Sequence, residues 1–387
     1  MKYYIIAGES SGDLHGSNLM KALLALDPSA DIRFWGGDAM TAVGGTRVRH
    51  IRDLSFMGFV EVVRHLRQVL GNISFCKRDL MQFQPDAVIY VDFPGFNLRI
   101  AKFAHKKGFK NFYYISPQLW AWKKGRIKVM RRILDRLFCI LPFEEDFYKK
   151  NHFPQAEYVG HPLLDAINHP TSPTSLTNPT NPTNPTSPTS PTSPTAVKQT
   201  IALLPGSRRQ ELSNTMPDML WLAAQHPDLD FVIAGMNVLG EEIYHRFGAL
   251  PPNVTIRFNQ TYQILSESHA AVVCSGTATL ETALFNVPQV VCYKANPISI
   301  AIARWFVGKR VRFISLVNLI ADRPIVRELL QQDFNHLELY SEFGRITKDS
   351  SYRDSMCEGY AEVRRILGGE GASRRVAEAV INTISKP

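Results

Sequence analysis

The sequence predicts an α/β protein built from two doubly wound domains, and three observations lead there. Short apolar runs, without the alternation of a half-exposed strand, recur on both sides of the middle of the 387-residue chain. Helical patterns separate these runs, which is the arrangement of parallel sheets covered on both faces. An uncharged stretch punctuated by proline, residues 171–195, divides the runs into two sets.

Taken in order, "KYYIIAG" opens the first set as a strand, and "AGESSGDLHG" (7–16) turns from it into a helix beginning near Leu14. "DIRFWGG", "DAVIYVD", "NFYYIS" and "RLFCIL" follow as buried strands with helices between them. "FMGFVEVVRHLRQVL" (56–70) reads as a helix with Phe59, Val63, Leu66 and Leu70 on one stripe and Arg64 and Arg67 beside it. Such a broad apolar face suits a core-facing helix or one lying in a membrane interface. "WAWKKGRIKVMRR" (120–132) joins two tryptophans to a run of cations, a combination found on nucleic-acid and anionic-lipid surfaces.

The segment "TSPTSLTNPTNPTNPTSPTSPTSPT" contributes nothing to a core and is expected to be an extended or disordered tether, tolerated because lengthening a surface connection costs little. Beyond it "TIALLPG", "DFVIAG", "VTIRF", "AAVVCSG" and "QVVCYK" repeat the strand pattern. The end of the chain, from about Tyr352 to Ser385, is helical without a strand of its own, placed to close the second domain or to pack back on the first. The expected boundaries are thus residues 1–168, a linker over 169–196, residues 197–350, and a helical segment over 351–387.

Composition narrows the class. Hydrophobic residues make up 45% and charged residues 20% of the chain, as in soluble globular proteins. No apolar run approaches the roughly 18 residues of a membrane span. The N-terminus has no cleavage-site pattern, so a secretory leader is not expected. The five cysteines are scattered without a CxxC, which fits a reduced, metal-free protein. The formal charge of +9 is unevenly spread: residues 1–165 hold 24 Lys/Arg against 16 Asp/Glu, and residues 196–387 hold 20 against 19. A basic N-terminal half favours an anionic partner.

In doubly wound sheets ligands sit at the carboxyl ends of strands, so the turns there are where chemistry is expected. The first turn fails as a phosphate loop: Gly8, Gly12 and Gly16 do not make GxGxxG, and Glu9 and Asp13 would repel a phosphate. Asp92, in "VDFPGFN", is placed either as a general base toward a hydroxyl or as a turn residue capping the next helix. In "LLPGSRRQE", Gly206 and Ser207 present backbone N–H groups at a helix start and Arg208 can grip phosphate oxygens. "CSGTATLE" has the same form, with Ser275, Gly276 and Thr277 in the turn and Glu281 one turn along as an acceptor for ribose hydroxyls. Two such turns place a nucleotide in the second domain and leave the first for a partner bearing hydroxyls. Asp228-Leu229-Asp230 precedes a strand, at the wrong end for a metal-binding DxD. No histidine pair has metal-ligand spacing, and His161 reads as a packing residue, so no catalytic metal is expected.

Together "AGESSGDLHG", "SPQLWAWKKGRI", "LPFEEDFY", "YVGHPLLD", "LLPGSRRQE", "SGTATLE" and "SLVNLIA" resemble the lipid-A-disaccharide synthases, glycosyltransferase family 19, over nearly the whole chain. The 171–195 stretch departs from the family's short connection. The resemblance implies a GT-B fold, two Rossmann-like domains facing a cleft, with C-terminal helices. It implies an inverting transfer from UDP-2,3-diacylglucosamine to 2,3-diacylglucosamine 1-phosphate (lipid X), giving a β-1,6-linked disaccharide and UDP in lipopolysaccharide synthesis. Neither metal nor cofactor is implied. The expected setting is the cytoplasmic face of the inner membrane, with a membrane surface as partner, no nucleic acid, and a homodimer if the C-terminal helices exchange between protomers. Asp92 would be the base, Arg208 and residues 275–277 would stabilise the leaving diphosphate, Glu281 would hold the ribose and Asn318 would line the nucleotide side. Glu9 and Asp13 would hold acceptor hydroxyls or orient the base. The competing readings are an enzyme like the UDP-N-acetylglucosamine 2-epimerases and a basic nucleic-acid-binding protein.

Overall fold

The computed structural model describes residues 1–53, 66–121, 124–168, 199–294 and 312–385. The repeat at 171–195, most of the amphipathic stretch at 56–70 and residues Trp122 and Lys123 lie outside that description. The chain divides into two compact units, residues 1–171 with 367–387, and residues 172–366.

The first unit is a seven-stranded parallel sheet in the order β3-β2-β1-β4-β5-β6-β7. Its strands are β1 (Lys2–Ala7), β2 (Asp31–Gly36), β3 (Thr46–His50), β4 (Ala87–Val91), β5 (Lys110–Tyr114), β6 (Arg136–Cys139) and β7 (Ala156–Tyr158). Helices α1 (Ser10–Leu26), α2 (Asp38–Val43), α3 (Leu66–Phe83), α4 (Pro94–Lys106), α5 (Ile127–Ile133) and α6 (Pro142–Lys150) make the crossovers, and α7 (Pro162–Asn168) follows β7. Side chains alternate across the sheet plane. Tyr4, Ile6, Val88 and Tyr90 therefore join one core cluster and Tyr3, Ile5, Ile89 and Val91 the other. Both faces are buried, which is why β4 reads as an unbroken apolar run.

The second unit repeats the plan with six parallel strands in the order β10-β9-β8-β11-β12-β13. These are β8 (Thr200–Leu204), β9 (Asp230–Gly235), β10 (Val254–Phe258), β11 (Ala270–Cys274), β12 (Gln289–Tyr293) and β13 (Glu328–Leu330). The helices are α8 (Arg209–Ala224), α9 (Glu242–His245), α10 (Thr261–Glu267), α11 (Thr277–Leu284), α12 (Leu316–Ala321), α13 (His336–Lys348) and α14 (Ser350–Leu367). A last helix, α15 (Ala372–Ile384), belongs to the first unit. Its Val376, Ala377 and Val380 complete the cluster that contains Tyr3 and Ile5. The C-terminal segment, read from the sequence as one piece, is thus divided near Leu367.

Strand order reverses between β1 and β4 in one sheet and between β8 and β11 in the other. At such a switch point the loops leave in opposite directions and open a crevice at the carboxyl ends.

Candidate active-site turns

The four turns singled out in the sequence follow β1, β4, β8 and β11, the strands that flank the two switch points. In the first unit Ala7 pairs with Val91, so Gly8 and Asp92 leave the ladder side by side. Asp92 and Phe93 are consecutive non-glycine residues in left-handed backbone, at φ 46° and 51°. Backbone of that kind costs on the order of 1–3 kcal/mol per residue and persists only where the surroundings enforce it. The enforcement is visible. The Asp92 N–H donates to the Tyr114 carbonyl at 2.9 Å. The Asp92 carbonyl accepts from the Tyr113 hydroxyl and the Asn97 amide, both at 2.7 Å. The Phe93 ring lies against Gly8, where an added Cβ would stand 2.3 Å from it. Helix α4 starts at Pro94 with Phe93 in the N-cap position, so the cap position expected for Asp92 falls one residue later.

Glu9 is half-buried at the N-cap of α1, and its carbonyl accepts from the Asp13 N–H at 2.9 Å. Asp13 is buried, and its carboxylate accepts from the backbone N–H groups of Gly37 (2.6 Å), Ala39 (3.0 Å) and Met40 (3.1 Å). A carboxylate at a helix N-terminus is favoured by the exposed N–H groups and by the helix dipole. Asp13 therefore ties α1 to the start of α2 from inside the unit.

In the second unit Gly206 has φ +112°, a conformation that favours glycine. Ser207 and Arg208 are exposed beyond it. The sequence reading missed Glu211: its carboxylate accepts from the N–H groups of Ser207 (2.9 Å) and Arg208 (3.2 Å) and from the Arg208 guanidinium (3.2 Å). The signal was available, because glutamate three residues past a helix N-cap reaches back to the cap N–H. The Gly276–Thr277 turn at the start of α11 is exposed, and Ser275 donates to the Ile314 carbonyl at 3.2 Å. Glu281 accepts from the Tyr262 hydroxyl at 3.1 Å, and burial raises its carboxyl above the ordinary value.

Asn318 is 1% exposed. Its amide donates to the Val326 carbonyl and to Glu328, both at 2.9 Å, and its oxygen accepts from the N–H groups of Ile325 (2.8 Å) and Val326 (3.0 Å). Glu328 in turn accepts from the N–H groups of Ile314 and Ser315, each at 3.0 Å. The Leu316 N–H donates to Thr279 at 3.3 Å. Asn318 and Glu328 thereby fix the segment that backs the 275–279 turn.

His161 is buried as expected, and so is His15 of the first signature stretch. Burial pushes His161 down to about 3 and His15 down to about 4. Neither sits as an accessible acid or base.

With this geometry in view, the lipid-A-disaccharide synthetase family model matches residues 3–359. The lipid-A-disaccharide synthase of Trichlorobacter lovleyi is 35% identical over 99% of this chain and 97% of its own. The chain belongs to this family. It is accordingly an enzyme of the glycosyltransferase class, and the two other readings of the sequence give way to this one. Solved structures carry the fold further. The glycosyltransferase of kitacinnamycin matches over 99% of both chains with TM-score 0.63 at 14% identity. The UDP-GlcNAc 2-epimerase of Neisseria meningitidis, bound to UDP-GlcNAc, matches over 99% of this chain and 100% of its own with TM-score 0.66 at 13% identity. Among the described residues no helix is long and apolar enough to cross a membrane.

Proposed function

We propose that the chain joins UDP-2,3-diacylglucosamine to lipid X, with Asp92 as the base. The observation that carries this is the backbone at Asp92 and Phe93, strained and braced at a switch point, in a chain of the lipid-A-disaccharide synthase family. Asp92 draws the proton from the acceptor 6-hydroxyl as that oxygen attacks the anomeric carbon of the donor. Attack opposite the departing UDP inverts the configuration, so no covalent sugar–enzyme bond forms. Glu9, half-buried at the N-cap of α1 just after β1, holds acceptor hydroxyls, while Asp13 holds α1 and α2 together.

UDP binds the second unit. Arg208 and the Ser275–Thr277 turn stabilise the charge that grows on the diphosphate as it leaves. Contact with the N–H groups of Ser207 and Arg208 requires Glu211 to withdraw from them. Glu281, oriented by Tyr262, holds the ribose. The basic first unit works at the anionic cytoplasmic face of the inner membrane as a peripheral protein, and the described part of the 56–70 stretch contributes the half-exposed Leu70. Two copies associate through their C-terminal helices.

The test is UDP release from UDP-2,3-diacylglucosamine with and without lipid X, in detergent containing EDTA. Release that depends on the acceptor and survives EDTA is the expected result. Release without acceptor would make the chain a hydrolase, and no release would remove the proposed substrates.

A further inference from the structure

Two of the stretches that carry the family resemblance, "SPQLWAW" and "LPFEEDFY", have no part in the chemistry above, yet the structure joins them. The loop Ser116–Ala121 follows β5, and Leu141–Glu144 follows β6. Both leave the sheet at the edge where Asp92 leaves β4, and β5 is the strand that braces Asp92 through Tyr113 and Tyr114.

Helix α6 grips the loop with one face. Glu144 and Tyr148 are four residues apart and so lie one above the other on that helix. Glu144 is 1% exposed. One of its oxygens accepts from the N–H groups of Ile140 (3.3 Å) and Leu141 (3.2 Å), which satisfies the start of α6. The other accepts from the indole N–H of Trp120 at 3.2 Å. Tyr148 holds the opposite end of the loop: its hydroxyl donates to the Pro117 carbonyl at 2.9 Å and accepts from the Ser116 hydroxyl at 2.8 Å. Phe143 meets the Trp120 ring edge-on at 5.2 Å between centroids. A helix cap needs only the first oxygen of Glu144. The second reaches across to a loop from a different strand, and that contact is the unexplained part.

We propose that Glu144 is a positioning residue that sets the Ser116–Ala121 loop, through Trp120, as a wall of the acceptor site beside Asp92. This rests on the assignment of Asp92 and the acceptor to the first unit. A loop held in this way places the acceptor sugar against the base, and small misplacements of a reacting group cost up to ~100-fold in rate.

The experiment uses the full chain with Trp120→Phe, Glu144→Leu and the double variant. Trp120→Phe removes the N–H donor and keeps an aromatic ring, and it leaves the contacts of Glu144 to Ile140 and Leu141 in place. It is expected to lower kcat/KM for the acceptor by roughly 10- to 100-fold, with UDP affinity unchanged. In the Glu144→Leu background it should cost nothing further, since the contact is already gone. Hydrogen exchange gives a readout independent of turnover: in Trp120→Phe the amides of 118–121 should exchange faster while those of α6 do not change. Trp120→Phe with wild-type kinetics and exchange, or with its full effect retained in the Glu144→Leu background, would overturn the proposal and leave Glu144 as a cap of α6 alone. If the unaltered chain shows no acceptor-dependent UDP release, the parent assignment fails separately, and the exchange result still decides whether Glu144 sets the loop.

Discussion

Asp92 and Phe93 concentrate the cost of the site in two residues, and their surroundings say which changes will be felt. Asp92→Asn keeps the shape and the backbone contacts but removes the proposed base, so kcat should fall by roughly 100- to 10,000-fold. UDP affinity should not change, because the turns proposed for the nucleotide belong to the other unit. Near-normal turnover at saturating substrates would sink the assignment. Gly8→Ala acts on the same residue from behind. Its Cβ would stand 2.3 Å from the Phe93 ring, so the ring must shift and carry Asp92 with it. Overpacking of this kind costs about 1–3 kcal/mol, and a thermal melt should show it alongside lost activity. A variant as stable and active as the parent would mean that the contact between Gly8 and Phe93 does not hold Asp92.

At the scale of elements, what the sequence disclosed and what it hid both have physical causes. The ten strands legible as apolar runs include every interior strand of both sheets, where burial on two faces demands such runs. The three that escaped, β3, β7 and β13, are edge strands, short or charged, as in "TRVRH", "AEY" and "ELL". The turns were legible because small residues after a buried strand have few other uses. The partners of Asp13 and Asn318 were not, since hydrogen bonds reaching 24 residues or satisfying backbone within a loop leave no period in the sequence, whereas Glu211 reaching back to its helix start had a readable spacing. Asn318 shows the consequence. Asn318→Ala strips partners from buried N–H groups of Ile325 and Val326, at a cost of about 1–3 kcal/mol for each group left unsatisfied. The second unit should melt earlier, and UDP should bind more weakly because the support behind Ser275 and Thr279 loosens. Weaker UDP binding with an unchanged melt would instead make Asn318 a direct ligand.

Over the whole molecule, the first unit is sealed by chain that returns from the far end of the sequence, and the two histidines buried in that unit should make it lose stability in acid. Asp165 on α7 accepts from the N–H groups of Gly371 (2.6 Å), Ala372 (3.3 Å) and Ser373 (2.8 Å), which fixes the start of α15. Arg375 donates to the Val159 carbonyl at 2.7 Å, and the Tyr158 hydroxyl donates to the Leu367 carbonyl at 2.8 Å. His15 and His161 are buried in the same unit, and burial holds them at about 4 and about 3. An unfolded histidine titrates near pH 6.5, so between about pH 6.5 and 4 the unfolded chain binds protons that the folded one refuses. Stability is then fully present above pH 6.5 and falls as the pH drops through that window, by up to ~1.4 kcal/mol per pH unit for each histidine. Urea unfolding of the chain at a series of pH values from 7 down to 4.5 checks this, with His161→Asn as the control. The control should lose stability at pH 7, where it leaves neighbours repacked, yet show a shallower decline with acid than the parent. Equal slopes would mean that His161 is protonated in the folded chain as readily as in the unfolded one, and that the acid sensitivity of the unit comes from His15 or from carboxylates instead.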